Sequence, residues 1–517
     1  APAAAATPAA ARDPVLRGVE LILGIAVLGL VSFVGVLDLT IVNVILPAIG
    51  ATYSASPHEV TMGITCFAAA QAIATPVTGW LATRFGVVRV FIWSLVGFAA
   101  TSLLCGLANS LGAFIIARVL QGASAGPMLP IVQTLLQRSV PRHLVASAFA
   151  FWATVISAAP LVGPVVGGAM ADTIGWEWGF YINVPFLIVA ILIIWRVFGE
   201  RETPTVRLRL DVVGFLLLAI WVGALQFALD KGSDLDWFGS PLIVGLTVVA
   251  VVGFVAFILW ELTDARPLVD FSVLRYRSFL IGTPVSAISF TSLVISNLLL
   301  TLWLQFGMGY TPTWAGYAVG VMGVSSMLAG PVCALLTRRL DPRLVVSGFM
   351  TLTAAGFLWR STFYGDVDFA TVAMVQLCTG LTTTGAMGPI FAMVMGDIPH
   401  PKLPGAAGLL TFARMLFVSI MTAVMTTGWT YGQSTAHSDM AANLQLEARA
   451  SDSLQPDQLA SDPALQVWNG VINREAITLA TQHMLVWAAL MVLVAPLLIW
   501  FCPRPRTVVQ ASKDDGS

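Results

Sequence analysis

A chain of 517 residues that is 57% hydrophobic and 10% charged, with a mean hydropathy of +0.85, is too apolar for a soluble globular protein. It reads as an all-helical polytopic membrane protein. A net charge of −1 with no basic run gives nucleic acid no footing, and five scattered cysteines without ligand or redox spacing imply neither a metal site nor a disulfide.

Residues 1–18 open with APAAAATPAAARDP, a low-complexity stretch without the apolar core of a signal peptide, and are expected to form a disordered cytoplasmic tail. Apolar stretches near the bilayer-crossing length of about 20 residues then fall at 19–41, 60–82, 88–108, 111–136, 144–170 and 179–198. Two follow at 211–229 and 240–262, and six more at 279–306, 314–336, 343–363, 369–396, 404–430 and 480–501. The pattern predicts a six-helix bundle over 19–198, a linker with two extra helices over 199–278, a second six-helix bundle over 279–501 and a tail over 502–517. With both termini cytoplasmic, twenty lysines and arginines fall inside and four outside (Lys231, Arg360, Arg449, Arg474), as the positive-inside rule requires.

The first span, VSFVGVLDLTIVNVILPAIG, buries one carboxylate, Asp38, in its far half, at a cost of about 2.5 to 3.5 kcal/mol on insertion scales. Snorkelling to a helix end is the alternative. Asp38 shares a helical face with Val34, Gly35, Ile41 and Ile45, whereas Thr40, Asn43 and Pro47 lie on another, so one face is expected against a neighbouring helix and the other on an aqueous cavity. Between spans 2 and 3, GWLATRFGVVRVF sets Gly79, Arg84, Gly86 and Arg89 at a tight cytoplasmic turn.

Span 4 buries Arg118, with Gln121 on the same face. Such a guanidinium does not lose its proton and needs an acidic or carbonyl partner within the bundle. Beside a carboxylate it favours the charged form while burial favours the neutral one, a balance that entry of water can switch. In span 5, GPVVGG places Gly163, Pro164, Gly167 and Gly168 on a face nearly free of side chains, suited to close packing and to a bend at Pro164. WEWGFYINVPF follows, with Trp176 and Trp178 expected at the outer interface. In span 13, Arg414 has no buried carboxylate within its own bundle and is expected to meet a carbonyl, an amide or an anionic substrate. The outer segment 431–476 is polar and acidic and reads as a periplasmic loop with short helices at most.

LDLTIVNVILP, GWLATRFGVVRVF, ARVLQGASAG, GPVVGG and WEWGFYINVP, in this order, resemble the fourteen-helix drug/proton antiporters of the major facilitator superfamily, of the EmrB type. The resemblance implies the major facilitator fold and proton-driven export of amphiphilic drugs across a bacterial inner membrane, with the proton motive force in place of a cofactor. It also implies a periplasmic membrane-fusion protein and an outer-membrane channel as partners. Asp38 and Arg118 would be the proton-coupling pair, Gly163, Pro164, Gly167 and Gly168 the antiporter motif, and Gly79, Arg84, Gly86 and Arg89 the gating turn. Thr83 stands where that turn usually carries an acid, which puts a charge relay there in doubt.

No phosphate-binding loop supports a primary pump, and five separated histidines support no enzyme. The alternative is a sensor or assembly subunit on the same fold. Substrate-cavity candidates are Phe33, Asn43, Gln121, Met128, Trp152, Asn297, Trp303, Gln305, Met387, Phe412, Arg414 and Met415, soft and aromatic side chains with a few amides.

Overall fold

In hydrocarbon the backbone has no hydrogen-bond partner but itself, and apolar runs with so few charges have one way to satisfy it. The computed structural model describes residues 15–55, 57–206, 210–264, 267–310, 312–365, 367–450 and 463–503, and among them there is no strand. The first bundle comprises α1 (Val19–Tyr53), α2 (Pro57–Phe85), α3 (Val87–Gly106), α4 (Leu111–Ala125), α5 (Met128–Ser139), α6 (Val145–Thr173), the single turn α7 (Trp178–Tyr181) and α8 (Asn183–Phe198). The inserted hairpin is α9 (Val212–Lys231) and α10 (Pro241–Thr263). The second bundle comprises α11 (Arg277–Leu302), α12 (Pro312–Arg339), α13 (Pro342–Arg360), α14 (Phe369–Gly396), α15 (Leu403–Ala450) and α16 (Pro463–Ile499).

Twelve segments among the described residues are long and apolar enough to cross a membrane. The stretches of the two remaining predicted spans form helices, α6 and α13, of 29 and 19 residues, which are not among the twelve; the second has Arg343 and Arg360 near its two ends. The fourth span is broken rather than continuous: α4 ends at Ala125 and α5 starts at Met128. Pro127 between them supplies no N–H, and Gly126 leaves room for α2, since a Cβ there would stand 2.5 Å from that of Ala74.

The two bundles meet most tightly at the end where α1 begins, here called the terminal end. There a Cβ on Gly79 of α2 would lie 2.7 Å from the Gly405 Cα of α15. Thr411 donates to Gln133 Oε1 at 3.1 Å, and Phe149 stacks on Phe391 with centroids 4.7 Å apart. Farther in along α6, Thr154 donates to the Ser326 carbonyl at 2.6 Å. The inserted hairpin packs through α9 on α2 and α15, along one of the two seams between the bundles.

Three expectations are corrected. The outer segment is not a loop up to its middle, because α15 runs on to Ala450 and α16 starts at Pro463; residues 451–462 lie outside the described ones. AANLQLEARA is polar yet made of strong helix formers, and polarity alone misled. His437 and Asn469 pair at 2.8 Å, and Gln433 donates to Asn473 at 3.1 Å, between the two extensions. Trp176 is 5% exposed, edge-on to Tyr53, Phe114 and Phe180, and belongs to the core, whereas Trp178 is exposed. Arg360, counted among the basic residues on the outer side, is buried within α13 and donates to the Ser296 hydroxyl at 2.8 Å.

Candidate functional site

Asp38 lies in α1 with its side chain fully buried, as is that of Arg118 in α4. The Arg118 Nη1 donates to Asp38 Oδ2 at 2.8 Å and to Gln121 Oε1 at 2.7 Å. Gln121 Nε2 donates to Asp38 Oδ1 at 3.1 Å, and Asn183 Nδ2 of α8 donates to the same oxygen at 2.7 Å. The Arg118 Nε reaches the Gly63 carbonyl of α2 at 3.4 Å, and its Cζ lies 4.1 Å from the Phe67 ring centroid. Four helices thus converge on one ion pair, and both carboxylate oxygens hold donors. Arg118 Nη2 has no partner among the described residues, and since removing one partner of a buried pair costs about 3 to 5 kcal/mol, the pair is strongly interdependent.

Asn183 was not among the predicted site residues, because a neutral amide at the start of a span carries no charge to betray it. It also donates to Ser102 Oγ at 3.1 Å, and Ser102 donates to the Phe180 carbonyl at 2.9 Å, which ties the site to α3 and α7.

The second polar face of α1 meets α6 at Thr40, which is half-buried. Thr40 Oγ1 donates to the Leu37 carbonyl at 2.9 Å and to that of Ala159 at 3.4 Å. A Cβ on Gly163 would fall 2.1 Å from Thr40 Oγ1, and one on Gly167 would fall 3.2 Å from the Ile41 Cγ2. Gly168 is different: its Cβ would meet Val44 at 3.8 Å, an ordinary contact. The side chains of Pro164 and Asn43 lie outside the described residues.

At the turn between α2 and α3, Gly86 adopts φ +95°, which favours glycine. Glu202, just after α8, closes over it and accepts from Val88 N at 3.0 Å and Arg89 N at 2.9 Å, while Thr203 accepts from Val87 N at 3.0 Å. A carboxylate therefore does sit at this turn, supplied from a distant segment, while Thr83 bonds back to the Gly79 carbonyl at 2.8 Å. Arg84 lies over Trp80 and Phe85, at 5.4 and 5.3 Å.

A cavity of about 300 Å³ lies between the bundles, on the far side of the terminal-end contacts, lined by α1, α2, the end of α4, α5, α9, α11 and α15. Met128, Phe412 and Met415 line it, as do Ser32, Gln71 and Gln226, the last from the inserted hairpin. The other candidates are elsewhere. Phe33 lines a groove of about 680 Å³ between α6 and α12. Gln121 belongs to the ion-pair cluster. Trp152 is buried behind the cavity, donating to Ser32 Oγ at 2.8 Å, and Met387 is core. Asn297 lies on α11 away from the lining, and Trp303 and Gln305 lie on a π turn, Trp303–Gly307, where Trp303 donates to Thr478 at 3.2 Å.

Arg414 of α15 is 3% exposed and meets neither carbonyl nor amide at Nε and Nη1, which lack partners among the described residues. Its Cζ lies 5.0 and 4.9 Å from the ring centroids of Phe290 and Phe391. A second buried carboxylate, Glu261, sits at the terminal end of α10, away from the cavity, and accepts from Val269 N at 3.1 Å.

A family model of the Major Facilitator Superfamily matches residues 28–422. The chain is 39% identical to the multidrug export protein EmrB of Haemophilus influenzae, over 84% of this chain and 86% of that protein. It is 32% identical to the fatty acid resistance protein FarB of Neisseria gonorrhoeae, over 95% of this chain and 98% of that one. Among solved structures, the proton:xylose symporter XylE superposes with a TM-score of 0.60 at 13% identity, over 94% of this chain and 96% of that one, and shares the fold.

Proposed function

The chain belongs to the major facilitator superfamily and to its drug/proton antiporters of the EmrB type, and on the premise that it is a proton-coupled multidrug efflux transporter we propose how its residues carry the exchange. The observation that carries the proposal is the buried ion pair of Asp38 and Arg118 at 2.8 Å.

Asp38 is the proton carrier. Protonation cancels the charge that holds Arg118 Nη1, and the guanidinium then relies on Gln121 and the Gly63 carbonyl, which loosens α1 from α4 and α2. α1 also carries the cavity wall at Ser32 and Gly35 and the contact with Gly163 and Gly167, so movement at Asp38 is passed to the cavity and to α6. The gating turn, with Glu202 seated on α3, fixes the terminal end while it is closed. With that end cytoplasmic, as the positive-inside rule favours, the present arrangement is outward-facing.

The chain lies in the bacterial inner membrane, with both termini cytoplasmic, and works with a membrane-fusion protein and an outer-membrane channel. The paired extensions of α15 and α16 support that reading, since they project beyond the apolar part of their helices and pair through exposed polar side chains. Proteoliposomes containing the purified protein test the coupling: drug should drive proton flux that vanishes without drug. A sensor on this fold would give drug binding and no flux.

A further inference from the structure

We infer that Arg360 holds a small inorganic anion, a halide such as chloride, in a cavity of single-ion size at the end of the second bundle opposite the terminal end. The inference goes beyond the transport reading and does not depend on it.

Arg360 is the last residue of α13 and is 4% exposed. A guanidinium has five N–H donors and keeps its charge when buried. Its Nη1 donates to the Ser296 hydroxyl at 2.8 Å and its Nη2 to the Ser296 carbonyl at 3.3 Å, and no ion pair among the described residues includes Arg360. Both acceptors are neutral. The C-terminal end of α13 supplies about half a negative charge through its dipole, and the rest of the cationic charge is unanswered. Among the described residues the buried carboxylates, Asp38 and Glu261, belong to the first bundle and the inserted hairpin. An isolated cation in a low-dielectric interior is costly, and a counter-ion lowers that cost.

The same guanidinium lines a cavity of about 10 Å³, together with Trp303, Phe363, Thr478, Thr481 and Gln482. That volume admits one water or one monatomic ion and no organic substrate. The two hydroxyls are committed elsewhere. Thr478 donates to the Arg474 carbonyl at 3.0 Å and accepts from Trp303 Nε1 at 3.2 Å. Thr481 donates to the Ile477 carbonyl at 2.8 Å and accepts from Trp429 Nε1 at 2.9 Å. Gln482 Nε2 donates to the Phe363 carbonyl at 2.7 Å and retains a second N–H. The lining thus offers a positive charge and N–H donors, and it contains no carboxylate. A water would satisfy hydrogen bonds and leave the charge as it is, whereas a halide answers both. Because Arg360 belongs to α13, Ser296 to α11 and Gln482 to α16, the anion would tie three helices together.

Thermal unfolding of the full chain in nanodiscs tests the site, with chloride replacing gluconate at constant ionic strength. The wild-type midpoint should climb with chloride and equally with bromide, while gluconate and sulfate, too large for the cavity, should have no such effect. With a dissociation constant of about 1 mM, about 100 mM chloride raises the folded-to-unfolded ratio roughly a hundredfold. Arg360→Gln should unfold at a midpoint indifferent to chloride, and Arg360→Lys should keep a reduced response. Wild-type crystals grown in bromide give a readout that needs no variant: an anomalous peak in contact with the Arg360 guanidinium. A wild-type midpoint blind to halide, or bromide crystals without that peak, would overturn the site and leave a water beside Arg360. A halide response that survives in a folded Arg360→Gln protein would overturn it too, by placing the ion elsewhere. Drug exchange is no part of these readouts, so their failure leaves the transport reading standing.

Discussion

A carboxylate in the middle of an apolar helix has to be served by donors from other helices, and at Asp38 three residues serve it: Arg118, Gln121 and Asn183. Asn183→Leu removes the donor at 2.7 Å and should cost about 1.5 to 3 kcal/mol, the range for a hydrogen bond to a charged group, read as a lowered thermal midpoint. It should also lower pH-driven export more than drug binding. An unchanged midpoint together with unchanged export would mean that Asn183 merely borders the site. Asp38 and Arg118 were legible in the sequence because a charge inside a span is conspicuous and must be answered. Asn183 was not, since an amide near a span end reads as an interfacial residue until the fold turns α8 toward α1. Gln121 was legible as a polar residue but misassigned to the cavity, because a helical wheel gives direction without saying what lies there.

At the level of elements, the α1–α6 crossing makes a graded prediction. Gly163→Ala forces a methyl to 2.1 Å from Thr40 Oγ1, which backbone movement alone relieves, at about 1 to 3 kcal/mol or more for overpacking. Gly168→Ala, with 3.8 Å to Val44, should leave the thermal midpoint and export near wild type. Equal damage from both would mean that the crossing is not what the glycines serve. At the gating turn, Glu202→Ala should expose the amides of Val88 and Arg89, and hydrogen exchange there should accelerate. The linker makes a pH-dependent contact with the turn before α15, where Lys402 pairs with Asp270 at 3.1 Å. Burial raises the Asp270 carboxyl, but the Ser272 hydroxyl and amide and Lys402 together hold it below its ordinary value. The contact therefore adds stability above the unfolded pKa and loses it as pH falls through the depressed folded one. Asp270→Asn should be slightly less stable than wild type at neutral pH and indistinguishable in acid; both side chains are part-exposed, so the difference will be small. The glycine pattern was readable because small residues at helical spacing announce a packed face. Glu202 was not, since it lies more than a hundred residues from the turn it caps.

For the whole molecule, two bundles and an inserted pair followed from hydropathy and from the placement of basic residues. The extent of α15 and α16 did not, because beyond the membrane their helicity rests on propensity and mutual packing rather than on apolarity. Deleting 433–472 should abolish drug resistance across the whole envelope while sparing uptake into inside-out vesicles; equal loss of both would make the extensions part of the transporter's own fold. The seating of α9 against the cavity was also hidden, since nothing in its sequence distinguishes a helix facing lipid from one lining a cavity through Gln226. The coupling of one buried proton site to the cavity is tested most directly by Asp38→Asn in proteoliposomes, assayed for drug exchange without a gradient and for accumulation under an imposed pH gradient. Exchange should persist, because a fixed neutral side chain still permits binding and cycling of the loaded carrier, while pH-driven accumulation and proton flux should disappear. Accumulation with proton flux at the wild-type level would contradict the assignment of Asp38 as the carrier.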